Sequence, residues 1–171
     1  MAIHGLIFKQ CPAQEALAQG GQPRMKSSVY ANLHLRHIFL GEPIPGLSEV
    51  PTVGPLTTLY MALHTDDPGA AGNQATNECN YTGYGRMPIP RDPSAWTVSG
   101  NTVSPINTIE FPEMTGGANQ TAKYVTIGTA PTGGGMVLYR GVLDPNIPIT
   151  LNFLPRVKNT STITELTVPA V

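Results

Sequence analysis

Charge is scarce in this chain. Only 12% of its 171 residues are Asp, Glu, Lys or Arg, about half the usual quarter for a globular protein. The 10 basic and 11 acidic residues leave a net charge of -1, and they are scattered rather than clustered. A protein that neutralises nucleic acid through its surface carries a basic patch or tail; none is visible, so a nucleic-acid partner is not expected. Aromatic residues make up just 6%. Cysteine is limited to Cys11 and Cys79, far apart and in unlike contexts. Nothing in their spacing recommends a disulfide, and two reduced thiols are expected. The longest apolar runs fall far short of the ~18 residues of a membrane span. The first twenty residues lack the basic stretch and long apolar core of a secretory signal. No membrane partner is expected.

Chemistry-bearing motifs are also missing. His34 and His37 share a helical face at i, i+3, but no Cys, Asp or Glu stands beside them at ligand spacing, so they read as surface or half-buried histidines. His64-Thr65-Asp66-Asp67 precedes Pro68-Gly69 and reads as a turn, because a calcium site needs six or more oxygens. Thr132-Gly133-Gly134-Gly135 lacks the lysine and following helix of a phosphate loop. It reads as a mobile hairpin tip. Asp92, Glu110, Glu113, Asp144 and Glu165 form no pair that spacing reveals. No catalytic, cofactor or metal site is expected, and the chain does not read as an enzyme.

Turns are abundant instead. Glycine numbers 18 and proline 17, a fifth of the chain, which favours many short strands over long exposed helices. With 40% hydrophobic residues, a compact chain of this length removes about 70% of its unfolded surface from water, enough for one domain with a real core. Leu59, Met61 and Leu63 alternate with Tyr60, Ala62 and His64, the period-2 pattern of a two-faced strand. Further strands are expected at 84–89, at 96–98 and 102–103 around a Ser99-Gly100-Asn101 turn, and at 109–111, 123–129, 136–142, 147–153 and 161–168. The fold class is therefore mainly β, an antiparallel β-sandwich or jelly-roll-like domain of about eight strands. Core candidates are Leu59, Met61, Leu63, Val125, Ile127, Val137 and Tyr139, with Trp96 and Phe111 as plugs. Leu63→Ala is expected to lower the melting temperature, and a change in the 133–135 tip to leave it alone.

Ahead of the strands, residues 1–26 read as an extended N-terminal arm that cannot offset its own ordering entropy. Ile3, Leu6, Ile7 and Phe8 would anchor it, either on a neighbouring subunit or under the same chain's sheet. Residues 27–40 read as one short helix with Val29, Leu33, His37 and Leu40 on its apolar stripe and Gly41 as a left-handed stop. Residues 42–55 are a stiff, Pro-rich connection whose Ile44, Leu47 and Val50 are further candidate partner-binding positions. Residues 27–171 thus form a single domain.

The order of short helix, Pro/Gly-rich connection, LYMALHTDDPG, YTGYGR and WTVSGNTVSPINTIEFPEMTGG resembles a family of small tailed-bacteriophage virion proteins, labelled tail-fibre-like or head-decoration. The likeness spans residues 32–164, and the segments 1–26 and 42–55 are longer than its pattern. The resemblance implies a multi-copy virion component assembled in the cytoplasm of a bacterial host. Two roles follow from it. As a capsid decoration or cement protein the chain would grip the major capsid protein, or copies of itself as a homo-oligomer, through extended segments. As a tail or tail-fibre adaptor or receptor-binding module it would stack sugars on Tyr81, Tyr84, Trp96 and Tyr139. The head role is expected, because the chain has short loops, no shaft repeats and few aromatics.

Overall fold

The computed structural model describes residues 28–44 and 56–165. Among these residues the fold is mainly β and antiparallel, with one helix, α1 (Ser28–Leu35), continued by a π-helical turn at Arg36–Leu40. Nine strands follow: β1 (Thr58–His64), β2 (Met87–Pro90), β3 (Trp96–Ser99), β4 (Thr102–Pro105), β5 (Ile109–Glu110), β6 (Gln120–Gly128), β7 (Val137–Ile149), β8 (Arg156–Val157) and β9 (Ile163–Thr164). They form a four-stranded sheet in the order β2-β1-β6-β7, a three-stranded sheet β3-β4-β9 and a two-stranded sheet β5-β8. One hydrophobic cluster draws on all three sheets and the helix, the layered arrangement expected for short antiparallel strands that each bury one face.

Gly41 ends the helix in the left-handed region, φ 71°, as its position in the sequence suggests. The last carbonyls of the π-helical turn meet Arg91, whose guanidinium donates to the carbonyl oxygens of Ile38, at 2.6 Å, and His37. A cation belongs at this negative end of a helix. The buried stripe is Ala31, Leu35 and Phe39, not the expected one: Leu33, His37 and Leu40 are only half-buried. Apolar residues occur nearly all round this segment, so periodicity leaves the face open. The i, i+4, i+8 spacing suits a helix whose last turn is widened by the π geometry. What selects the stripe is Phe39, whose ring lies 4.6 Å from that of Trp96 at 64° and 5.5 Å from that of Tyr139.

In β1 the alternation holds at first, with Leu59 and Met61 buried between half-buried Thr58 and Tyr60. From Met61 to His64 both faces are buried, because the loop 65–80 folds over the side away from the core. Leu63 pairs with Val125 and Met61 with Ile127 across β6, all four buried. Trp96 and Phe111 are buried as expected, whereas Val137 and Tyr139 are half-buried. Gly100 takes φ 58° in the two-residue β3-β4 turn, the backbone state glycine supplies cheaply.

The strand expected at 136–142 and the start of the one expected at 147–153 are one long strand, β7, which ends at Ile149; residues 151–152 form a turn instead. Ala122 pairs with Ile147 and Tyr124 with Val142, so one residue on β6, Lys123, is spanned by four on β7, residues 143–146. The Asp144-Pro145-Asn146 stretch, which has the composition of a turn, is absorbed as a bulge. Prolines stand at 88 and 90 of β2, an edge of this sheet among the described residues, which suits residues with no N–H to offer another strand.

Candidate functional site

The loop from Thr65 to Asn80 begins as the turn its sequence suggests: the Asp67 and Gly69 amides donate to the carboxylates of Asp66 and Asp67, at 2.9 and 2.8 Å. Asp67 also accepts from Arg140 of β7. The loop then folds back and places Gln74 fully out of solvent on the β1-β6 surface. The Gln74 amide donates to the carbonyl of Tyr60 (3.2 Å) and its side-chain oxygen accepts from the Ala130 amide (3.0 Å), while its backbone N–H donates to Gly135 O (2.9 Å).

Arg86 holds the same tip from the other side. It forms a two-pronged pair with Glu78 at 2.7 and 2.8 Å and donates to the carbonyls of Ala130 (2.9 Å) and Gly133 (2.6 Å). Its side chain is 2% exposed and that of Glu78 17%. The Tyr84 hydroxyl donates to Glu78 (3.0 Å). The bond to Glu78 keeps the Arg86 pKa above its usual value, while burial raises that of Tyr84. These groups line an open cleft of about 350 Å³ bounded by Cys79, Asn80, Tyr81 and the tip residues Pro131, Thr132 and Gly133. The four hydrogen bonds of Arg86 go to Glu78 and to the carbonyls of Ala130 and Gly133, so the pair ties the 130–133 hairpin tip to the loop that carries Glu78.

The tip, which its glycines suggest is mobile, is thus tied by hydrogen bonds to Gln74 and Arg86. Gly128 and Gly135 leave the room that Gln74 occupies: a β-carbon would lie 2.1 Å from Gln74 Cδ at position 128 and 2.3 Å from Gln74 Oε1 at position 135. Gly135→Ala is thus expected to cost about 1 to 3 kcal/mol through overpacking, whereas Thr132→Ala, at an exposed position, leaves thermal unfolding unchanged. Comparison of the two melting curves checks this, and it reverses the expectation of indifference at residues 133–135.

His64, also fully buried, bridges the loop to β6. Its Nδ1 lies 2.8 Å from Thr76 O and its Nε2 2.9 Å from Thr126 Oγ1. Burial lowers its pKa below 6.5, opposed by the Thr76 carbonyl and Glu78; Arg86 and Asp67 are the other charges facing it. The unfolded chain therefore binds a proton at higher pH than the folded one, so stability is full above pH about 6.5 and falls as pH drops below it towards the folded-state pKa. Denaturant titrations between about pH 5 and 7.5 should show that slope, and His64→Gln should flatten it. Of the other histidines, His34 and His37 are half-buried, with His34 Nδ1 3.1 Å from Glu165 Oε1 and His37 Nδ1 2.8 Å from Glu42 O. Among the described residues no three His, Cys, Asp or Glu converge as a metal group would require, and no helix is long and apolar enough to cross a membrane.

The four aromatics assigned to sugar stacking are used internally. Trp96 is 2% and Tyr81 3% exposed; Tyr84 lies 5.2 Å from Tyr81 and stacks on Phe111 at 6.4 Å; Tyr139 lies against Phe39 and donates to Glu165 at 2.6 Å. Burial pushes the Tyr81 hydroxyl up to about 12. Cys79, read as a loop residue, is a buried free thiol whose pKa burial likewise pushes up to about 12. Of the partner-binding candidates, Ile44 is described and buried at 8% exposure. Ile3, Leu6, Ile7, Phe8, Leu47 and Val50 lie outside the described residues, as do the arm 1–26 and Cys11. Sequence reasoning missed Gln74 and Arg86; their signal was a polar residue placed opposite glycines in a distant loop, which no local pattern reveals.

Residues 47–157, more than half of the chain, match the family model described as podophage GP4 fiber I protein gp80. The chain belongs to this fiber protein family. No curated protein matches it. Membership makes the chain a phage virion protein, in agreement with the resemblance carried by its strand and turn motifs. The region shared with the family runs from the connection through β8 and contains the Gln74 and Arg86 clamps; α1 and β9 lie outside it.

Proposed function

We propose that this chain is a non-enzymatic structural subunit of a phage tail fibre, acting as an adaptor between virion proteins. The observation that carries the reading is the match to a fiber I protein over residues 47–157. That description speaks of a fiber and not of a head shell, so it favours the tail alternative over capsid decoration. Internal burial of Tyr81, Trp96 and Phe39 and the pinned tip support a scaffold role, since a sugar platform needs exposed ring faces. Its partners in this reading are copies of itself and neighbouring fibre or tail proteins. Gold labelling of an affinity-tagged chain on intact virions is the test. Label on the tail appendages, with a copy number far below that of the shell subunit, is the expected result; label spread over the head would return the chain to the decoration role.

A further inference from the structure

Two polar side chains, His64 and Gln74, are shut completely away from solvent on the face of β1 and β6 opposite the core. Both hold one segment, the loop 65–77. His64 reaches it through Thr76 O at 2.8 Å, and Gln74 fastens it to Tyr60 O, to the Ala130 amide and, through its own backbone N–H, to Gly135 O. Asp67 adds an ion pair with Arg140 of β7, and the base closes where the Thr65 amide donates to Asn77 O at 2.8 Å. Apolar packing contributes little. No member of the hydrophobic cluster falls within 65–77, whose apolar side chains are those of Pro68, Ala70, Ala71 and Ala75. Segments with few buried apolar contacts open at low free energy while the rest of the fold stays intact.

The His64 site suits a neutral ring. Thr76 O only accepts, so Nδ1 carries the hydrogen and Nε2 accepts from the Thr126 hydroxyl at 2.9 Å. A second proton would make Nε2 a donor, and the Thr126 hydroxyl, itself fully buried, would have to turn and give up its own bond. It would also place a charge where there is no solvent. The carboxylates nearby are already matched: Glu78 by Arg86, which precedes β2, and Asp67 by Arg140. Opposite His64 on β6 stands a phenol, Tyr124. Burial is the largest influence on the ring and holds its pKa below the ordinary 6.5.

We propose that the loop 65–77 is an acid-released strap: when His64 takes up a proton, the loop lifts as a unit from an intact sheet, withdraws Gln74 from the 130–135 tip and uncovers the β1-β6 face at the paired residues Ala62 and Thr126. Lifting lets the charged ring reach water. The open form binds the proton at higher pH than the closed one, so opening becomes easier as pH falls below about 6.5 and levels off once the closed form is protonated as well. The tip itself stays in place, because the bonds from Arg86 to Ala130 O and Gly133 O involve no residue of the loop. Of the two clamps on the tip, acid thus releases one and spares the other. The strap acts in the same way wherever in the virion the chain sits.

Amide hydrogen exchange of the purified full chain tests it, followed residue by residue by NMR from about pH 7.5 to 5 and corrected for the intrinsic pH dependence of exchange. Protection of the Gln74 amide, bonded to Gly135 O, and of the Ala130 amide, bonded to the Gln74 side chain, should fall by up to about tenfold per pH unit below 6.5. Val125 and Ile127 in the middle of β6 should keep theirs. The fall should survive in His34→Gln with His37→Gln. In His64→Gln, protection at Gln74 and Ala130 should be flat with pH at whatever level that substitution leaves it. The imidazole signals of His64 in the parent give a readout that needs no variant, and they should titrate below 6.5. A ring that titrates at or above that value, protection at Gln74 and Ala130 that is flat in the parent, an equal fall at Val125 and Ile127, or a fall that persists in His64→Gln would each overturn the proposal.

Discussion

Arg86→Ala should lower the melting temperature by on the order of 10 °C and free the hairpin tip. The change removes the partner of Glu78 in a site where the two side chains are 2% and 17% exposed. Removing one member of a buried pair costs about 3 to 5 kcal/mol, mostly because the remaining charge is left uncompensated, and in a domain of this length each kcal/mol is worth roughly 2 to 4 °C. The carbonyls of Ala130 and Gly133 lose their donor in the same step. Hydrogen exchange should then show faster exchange at the Ala130 amide, which bonds to Gln74, and in the adjoining tip. Arg86→Lys keeps the charge but not the fork that meets both carboxylate oxygens, and should recover only part of the loss. Replacing both partners by apolar residues, Glu78→Leu with Arg86→Met, should destabilise less than Arg86→Ala alone. An Arg86→Ala protein that melts with the parent would mean the clamp does not form in solution.

Phe39→Ala is expected to be as damaging for a different reason. Phe39 is completely buried, and its ring joins Trp96 of β3 to Tyr139 of β7, linking two sheets through the helix. Truncating a buried phenylalanine costs about 3 to 5 kcal/mol in lost burial and cavity formation. Leu40→Ala, one residue on at a half-buried position, should cost clearly less. Urea titration of both variants distinguishes the stripe seen here from the one the helical periodicity suggests, since equal losses would mean that the helix does not present Phe39 inward.

The contrast between those two positions shows where sequence reading succeeds. Alternation in β1 and in Val125/Ile127 identifies a core face because a strand has only two sides, and every odd residue from Leu59 to Leu63 must share one. A helix that is apolar nearly all round offers several equivalent faces, and the choice passes to whichever ring finds aromatic partners. His64 makes the same point from the polar side. Its neighbours Asp66, Asp67, Pro68 and Gly69 announce the turn, but the burial of the imidazole against Thr76 and Thr126 depends on a loop returning over the strand. The tip at 130–135 is the clearest departure. Glycines at 133, 134 and 135 have the composition of a flexible loop, yet Gly135 is needed for the close approach of Gln74, and Arg86 ties down the carbonyls around it.

Membership of a fiber protein family was within reach of the sequence, because turn residues and strand alternation are short-range features preserved in the order of motifs. The mainly β, antiparallel character was legible for the same reason: backbone conformation at Gly41, Gly100 and the Asp67 turn is decided within a few residues. Tertiary structure alone decided which polar groups are buried together and which apolar ones are left outside. Arg86 and Gln74 reach the 130–135 tip across more than forty residues of chain, and Met114, well upstream, holds the backbone of Asn152 and Phe153. Such long-range contacts are set by how sheets and loops pack, and no window of neighbouring residues encodes them.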